Sequence, residues 1–368
     1  MVKRGFLATR GIARRVWRNY KAFLLFSPFV LLLPLWAEPL GRSISLNIVY
    51  LMRMVGIFTL TAVGLNLLMG YAGQASLGHG AFMGIGAYVS AILSTRWGWP
   101  AWAGILLGTL LAAFVGYLLA PILRLRGHYL AMATLGVGIA AFIFFREMTG
   151  LTGGNVGIRE IPKLNLFGLE ISSKKAEFYF VWLLVILVLL LCQNLVRSRV
   201  GRAIRAFHQS EVAARIMGVD VASYKMKVFM LSAALGGLAG GIYSHLQGYI
   251  NPSQFSVMLS IQLVVMVVVG GMESIWGSVA GASLVVFLPS LVEALPKWMG
   301  NVPAWVRQYS NYEGLVFGAI LVLTMIFLPK GITTSTVEFY RRKTRKAAEL
   351  MGEEEPVSIP EEEVRNGK

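Results

Sequence analysis

A chain of 368 residues with 56% hydrophobic and only 14% charged residues, at a mean hydropathy of +0.65, lies far from the soluble mix of about 25% charged residues. The apolar content excludes a disordered chain, and the single cysteine, Cys192, excludes a disulfide scaffold. The net charge of +16 does not point to nucleic acid, because the basic residues gather between apolar stretches instead of on one folded surface. An integral membrane protein is the expectation.

A bilayer core about 30 Å thick takes roughly 20 apolar residues per helix. Ten stretches approach that length, at 22–37, 46–69, 80–95, 99–123, 129–145, 178–196, 226–245, 257–271, 276–295 and 314–328. Some are short or broken by glycine, so the expectation is an all-α polytopic protein with eight to ten transmembrane helices and broken or re-entrant glycine-rich segments. Three segments are basic: Lys3 to Lys21, Arg197 to Lys227, and Lys330 to Lys346. Short basic loops stay on the cytoplasmic side. Ten spans place all three there, with Arg124 and Arg126, and put both termini inside. Arg53 fits least well, and either the second span begins near Met54 or Arg53 snorkels outward.

The domain reading is a basic cytoplasmic N-terminus at 1–21, a transmembrane unit at 22–332 and a charged, disordered cytoplasmic tail at 333–368. The first apolar stretch has the length of a signal-peptide core. Pro34, Glu38 and Pro39 do not suit a cleavage site, so it reads as an uncleaved helix.

What the spans lack narrows the function. No Asp or Glu lies near an expected helix centre, so a proton or sodium relay has no carriers. There is no potassium filter and no voltage sensor. No Gly-x-x-x-x-Gly-Lys-Ser/Thr run is present, so the chain carries no P-loop of its own and any ATP is hydrolysed by a partner. His79, His128, His208 and His245 follow no metal-ligand spacing, and no catalytic, cofactor-binding or metal set is expected. Gly73, Gly78, Gly80, Gly84 and Gly86 form one glycine cluster, and Gly236, Gly237, Gly240 and Gly241 another. Such spacings permit either close helix approach or a broken helix.

The loop at 197–224 carries helix punctuation without being a span. Ser210 can cap a helix, Glu211 suits its first turn, Arg215 its last, and Gly218 a left-handed end. The expected helix, 211–217, includes Ala213 and Ala214. It is too short to stand alone and suits a partner's groove. Just before it, Val200, Ile204 and Phe207 recur at helical spacing between arginines, the pattern of a helix on the inner membrane surface.

Gly201-Arg-Ala-Ile-Arg-Ala-Phe, followed by Glu211-Val-Ala-Ala-Arg-Ile-Met-Gly218, resembles the cytoplasmic coupling loop of binding-protein-dependent ABC importer permeases. Asn66-Leu-Leu-Met-Gly-Tyr-Ala-Gly-Gln-Ala-Ser-Leu-Gly-His-Gly-Ala-Phe82 with Gly86-Ala-Tyr88 resembles the signature of the branched-chain amino acid permease family. Thr152-Gly-Gly-Asn-Val-Gly157, Val269-Gly-Gly-Met-Glu-Ser-Ile-Trp-Gly277 and Leu328-Pro-Lys-Gly-Ile332 resemble further family segments. The likeness runs over 46–332 and is nearer the longer, LivM-type permease subunit. Glu273 departs from it, standing where the family usually has a small residue, often glycine. It lies either in a cytoplasmic turn or in the pathway.

The resemblance implies one half of a pore in the bacterial inner membrane. It pairs with a second homologous permease, two cytoplasmic ATPases that hold the ATP and Mg, and an extracytoplasmic solute-binding protein. The cargo implied is leucine, isoleucine and valine, the alternative being urea, short amides or other amino acids. Glu211, Ala213, Ala214 and Gly218 then couple to the ATPase, and transport proceeds by alternating access. A zwitterionic substrate needs backbone donors and acceptors, which broken helices present. Gln74, Ser76 and His79 are one candidate stretch of the pathway, or else a tight turn packed by Asn66. Thr152 and Asn155, in an external loop, are the other. That loop continues with Leu164, Leu166, Leu169 and Ile171 in polar alternation, a small hairpin where the binding protein docks.

Overall fold

The computed structural model describes residues 47–298 except 126, 167–168 and 172, together with 28, 32–34, 318, 322 and 331. The expected spans at 22–37 and 314–328, the N-terminus at 1–21 and the tail at 333–368 lie outside the described residues except at those positions. Each of the other eight expected spans is helical. Helix α1, Ile48–Asn66, runs through a π turn, Leu67–Tyr71, into a non-helical stretch. Then come α2 (His79–Arg96), α3 (Ala101–Leu118), a 3-10 turn (Ala120–Arg124) and α4 (His128–Glu147). A single helical turn, α5 (Thr149–Thr152), leads to strands β1 (Asn165–Leu166) and β2 (Leu169–Glu170). The chain continues through α6 (Lys174–Arg197), α7 (Arg199–Gln209), α8 (Glu211–Ile216), α9 (Val221–Gln247), α10 (Val257–Gly270) and α11 (Ile275–Trp298).

Side-chain caps set many of these starts. The side chains of Asn47, Ser173, Ser198, Ser210 and Asp220 each accept from a backbone N–H three residues on. Helix α9 ends at Gly248, which is left-handed at φ +70°. The hairpin expected from the 164–171 alternation is present, with Asn165 opposite Glu170 and Leu166 opposite Leu169. Five helical segments, Ile48–Tyr71, Ala101–Leu118, His128–Glu147, Lys174–Arg197 and Val221–Gln247, are long and apolar enough to cross a membrane. The chain is a multi-pass all-α membrane protein.

The centre is a three-helix seam built on glycine. An added Cβ at Gly86 would lie 1.9 Å from the Gly237 carbonyl oxygen, and one at Gly240 would lie 1.8 Å from that of Met83. Gly108 abuts Gly86, and Gly116 abuts Ala233. Helices α2 and α9 run parallel, with His79 beside Ser232 and Ser90 beside His245. Helix α3 runs antiparallel to α9, with Ile105 at Gly241 and Gly116 at Ala233. Backbones this close gain dispersion that lipid cannot replace, and only glycine leaves the room. Outside the seam, α3 exposes Leu106, Leu110, Leu111 and Phe114, while α6 exposes Leu183, Leu187 and Leu191. These apolar faces are left uncovered by the chain itself.

Four expectations are corrected. Arg53 neither precedes α1 nor snorkels; it is buried inside the helix, ion-paired with Glu177 of α6, with its guanidinium 5.5 Å from the centre of the Tyr50 ring. A buried cation persists because its partner is buried beside it. The expected span at 99–123 ends as α-helix at Leu118, and the turn containing Pro121 is 3-10. Helix α10 has 14 residues, about 21 Å at 1.5 Å per residue, and falls short of the bilayer core. Helix α7 does not lay its apolar face on lipid, because Ile204 and Phe207 are buried in the protein and Gly201 is pressed on the Val196 carbonyl.

Candidate functional site

The stretch from Asn66 to His79 joins more elements than any other part of the chain that sequence singled out. Asn66 closes α1 and clamps the α10–α11 turn. Its Nδ2 donates to the Ser274 carbonyl at 2.8 Å, to Ser278 Oγ at 3.1 Å and to the Gly271 carbonyl at 3.4 Å. Its Oδ1 accepts from the Glu273 amide at 3.2 Å, and the Tyr71 hydroxyl donates to the Glu273 carbonyl. Gly70 is needed for this approach, since a Cβ there would stand 2.3 Å from Asn66 Oδ1 and 2.6 Å from the Glu273 nitrogen. Residues 73–76 are unwound, and the turn that Asn66 holds is that between α10 and α11, not the Gln74 stretch.

The unwound chain climbs toward the middle of α4. Leu77 N donates to Thr134 Oγ1 at 3.0 Å, and a Cβ at Gly78 would lie 2.3 Å from the Thr134 carbonyl oxygen. Gly80 N donates to Ser260 Oγ at 2.9 Å, tying α2 to α10. Ser76 Oγ and His79 Nδ1 are 3.0 Å apart, and His79 Nε2 lies 2.6 Å from Ser232 Oγ on α9. All three side chains are buried, so His79 is held on both ring nitrogens by hydroxyls. Gln74 differs. It is 2% exposed, and neither Oε1 nor Nε2 has a hydrogen-bond partner. A buried amide left so costs on the order of 1–3 kcal/mol, and it retains the capacity to bind something polar.

Thr152 and Asn155 stand apart from this group. Thr152 is buried and donates toward the carbonyls of Phe145 at 2.6 Å and Met148 at 2.9 Å, while accepting from Gly154 N. It closes the end of α4. Asn155 is exposed. Contacts of Gly78 at Thr134 and of Thr152 at Phe145 lie about 16 Å apart along α4 at 1.5 Å per residue. They do not form one site.

The 197–224 segment packs beneath the break. The helix expected at 211–217 spans Glu211–Ile216, capped by Ser210 and followed by Gly218 at φ +81°. Ala214 is buried, Ala213 is exposed, and Glu211 pairs with Lys225 and, at 3.7 Å, with Arg215. Val212, Ile216 and Met217 are 68%, 79% and 82% exposed. Gly218 meets nothing within 4 Å, so its glycine answers to backbone conformation alone. His208, in the last turn of α7, sits on Gly73, where a Cβ would lie 2.8 Å from the ring. Its Nδ1 is 4.0 Å from the Glu273 carboxylate. Glu273 itself is left-handed at φ +63°, a conformation that favours glycine.

Ser232, Ser260 and Thr134 were not singled out from sequence, since a hydroxyl in an apolar helix carries no local mark of its partner, and His208 was weighed only as a metal ligand and set aside. Asn66, an amide closing an apolar run, was the one available signal. His245 was likewise set aside; its Nδ1 donates to the Pro162 carbonyl at 2.7 Å, so Nε2 accepts from Ser90 at 2.8 Å.

Comparison with known proteins accords with this arrangement. Residues 47–325 match the family described as branched-chain amino acid transport system / permease component. The chain is 33% identical to the high-affinity branched-chain amino acid transport system permease protein LivM of Salmonella typhimurium, over 83% of this chain and 74% of that one. It is also 33% identical to LivM of Escherichia coli K12, over 80% and 71%. LivH of Salmonella typhimurium is 25% identical over 75% of this chain and 90% of its own. No solved structure matches. A family match over most of the chain, together with a relative one-third identical over most of both lengths, means that the chain belongs to the branched-chain amino acid transport system permease family.

Proposed function

We propose that this chain is one permease subunit of a binding-protein-dependent ABC importer of leucine, isoleucine and valine. It pairs with a second permease of the LivH kind, two cytoplasmic ATPases and an extracytoplasmic solute-binding protein. It lies in a bacterial inner membrane with both termini and the 197–224 loop in the cytoplasm. The observation that carries the reading is the single connected path from α8 to Gln74. Helix α8 presents Val212, Ile216 and Met217 outward and holds Glu211 against Lys225. Helix α7 continues from it and rests its His208 ring on Gly73, one residue from the unpartnered Gln74 amide.

In this mechanism the partner ATPases hold ATP and Mg and seat the apolar face of α8. Their closure displaces α8 with α7, and the contact at Gly73 passes the movement into the unwound stretch. That stretch is anchored at its far end to α4 and α9 through Thr134 and Ser232. The pathway changes the side it faces by rigid-body movement, without covalent chemistry in this chain. The Gln74 amide offers both a donor and an acceptor to a zwitterion passing the break.

The test is uptake of radiolabelled leucine, in parallel with urea and a polar amino acid, in cells with and without this chain. Loss of leucine uptake in the deletion strain is the expected result. Loss of urea or polar amino-acid uptake instead would keep the importer and overturn the cargo. Leucine uptake that survives ATP depletion with the proton gradient held would overturn the importer.

A further inference from the structure

The 3-10 turn Ala120–Arg124, helix α8 and the first turns of α9 enclose a cavity of about 670 Å³. Its lining includes the apolar Tyr117, Leu118 and Met226. It also carries Arg124, Arg215 and Lys225 and one carboxylate, Glu211. Glu211 is engaged by Lys225 and Arg215, and Arg124 has no ion-pair partner among the described residues. Three cations facing one acid leave the cavity net positive.

Two features decide what such a space takes. The apolar part of the lining is continuous with the exposed apolar strip of α3, since Leu110, Leu111, Phe114, Tyr117 and Leu118 are all exposed. The face of α8 assigned above to the ATPase, Val212, Ile216 and Met217, does not line the cavity. Of the residues implied to couple to the ATPase, Glu211 alone lines the cavity, its carboxylate already held by Lys225 and Arg215, and an occupant that matches the remaining lining joins an anionic group to hydrocarbon.

We propose that this cavity binds an anionic phospholipid of the leaflet on the α8 side. Its phosphate sits among Arg124, Arg215 and Lys225, and one acyl chain follows α3 from Leu118 toward Leu110. Basic pockets between transmembrane helices on the cytoplasmic side suit such headgroups. The bound lipid bridges the 3-10 turn to α8, so it stiffens the helix through which the importer is coupled. The inference rests on the importer reading for its effect on coupling; for binding it rests on the cavity alone.

The importer complex, purified with its partner subunits, is placed in nanodiscs of phosphatidylcholine or of phosphatidylcholine doped with phosphatidylglycerol. Lipid retained on the complex is read by native mass spectrometry, and substrate-stimulated ATP hydrolysis is read beside it. The wild type retains phosphatidylglycerol, and its stimulated rate rises with it. Arg124→Gln, an exposed surface change, weakens retention about fivefold, the loss expected for one cation at an anionic surface. It also blunts the rate response while leaving hydrolysis in pure phosphatidylcholine unchanged. Lys174→Gln, an equal charge change at the end of α6 away from α8, leaves both unaltered. Soluble glycerophosphate added to phosphatidylcholine discs does not reproduce the response. Equal retention and response in Arg124→Gln and wild type overturns the proposal, as does full reproduction by glycerophosphate, which assigns a free anion instead. A complex that retains phosphatidylglycerol but whose ATP hydrolysis is stimulated by none of leucine, urea and a polar amino acid overturns the importer reading and leaves the site standing.

Discussion

The glycine seam and the Asn66–His79 break are adjacent and are held by opposite means. In the seam, Gly86, Gly237 and Gly240 bring backbones into direct contact, with polar side-chain pairs flanking that contact, His79 with Ser232 and Ser90 with His245. In the break, Asn66, Ser76 and His79 hold the chain by named hydrogen bonds, and Gln74 is buried with none. Shape that tolerates no added atom makes a fixed frame. Hydrogen bonds can be exchanged for others of equal number, so the break is the part that can have two arrangements.

The largest test of this contrast is Gly240→Leu. With 1.8 Å available to a Cβ, the seam cannot close, and the loss exceeds about 4 kcal/mol; no folded protein should be recovered in detergent. Next is Arg53→Leu, which strands the buried Glu177 and costs about 3–5 kcal/mol. The double variant Arg53→Leu/Glu177→Leu should regain most of that in thermal unfolding. Failure of the double to recover would mean that the pair is needed for more than mutual neutralisation.

Asn66→Leu removes the clamp on the α10–α11 turn and should cost about 2 kcal/mol through the carbonyls and amide it leaves unpaired. Gln74→Leu goes the other way. Loss of an unsatisfied amide should leave stability unchanged or about 1 kcal/mol higher, while leucine uptake falls. Retained uptake with unchanged apparent affinity would remove Gln74 from the pathway. The smallest effect on stability is expected of His208→Ala, within about 0.5 kcal/mol as for other partly exposed positions. Its mark is less substrate moved per ATP, restored by His208→Phe if the ring acts on Gly73 through contact. An unaltered ratio in His208→Ala would break the path from α8 to the break.

Much of the fold was legible in the sequence because lipid imposes a length and a composition on each helix. The hairpin at 165–170 and the capped helix after Ser210 were legible for local reasons, alternation and capping, that need no distant partner. Arg53 was misread because its partner is 124 positions away, just outside an expected span. The apolar side of α7 was misread for a related reason. Ile204 and Phe207 look the same from sequence whether they meet lipid or protein. At the site, residue types placed Gln74, Ser76 and His79 on one stretch. They could not show that His79 is held twice while Gln74 is not held at all, since that depends on Ser232 from another helix. Nor could they show that Thr152, the other candidate hydroxyl, is engaged by the Phe145 and Met148 carbonyls at the end of α4.

The short helix α10 bears on how the protein meets membranes of different thickness. A bilayer that thickens or thins acts on the long helices, whose apolar length must match it by tilting. At 14 residues, α10 cannot match any bilayer, and its ends are fixed by protein: Gly80 on Ser260 near its start, and Asn66 on Gly271 after it. Hydrophobic mismatch will therefore tilt the outer helices around a turn whose depth it does not set.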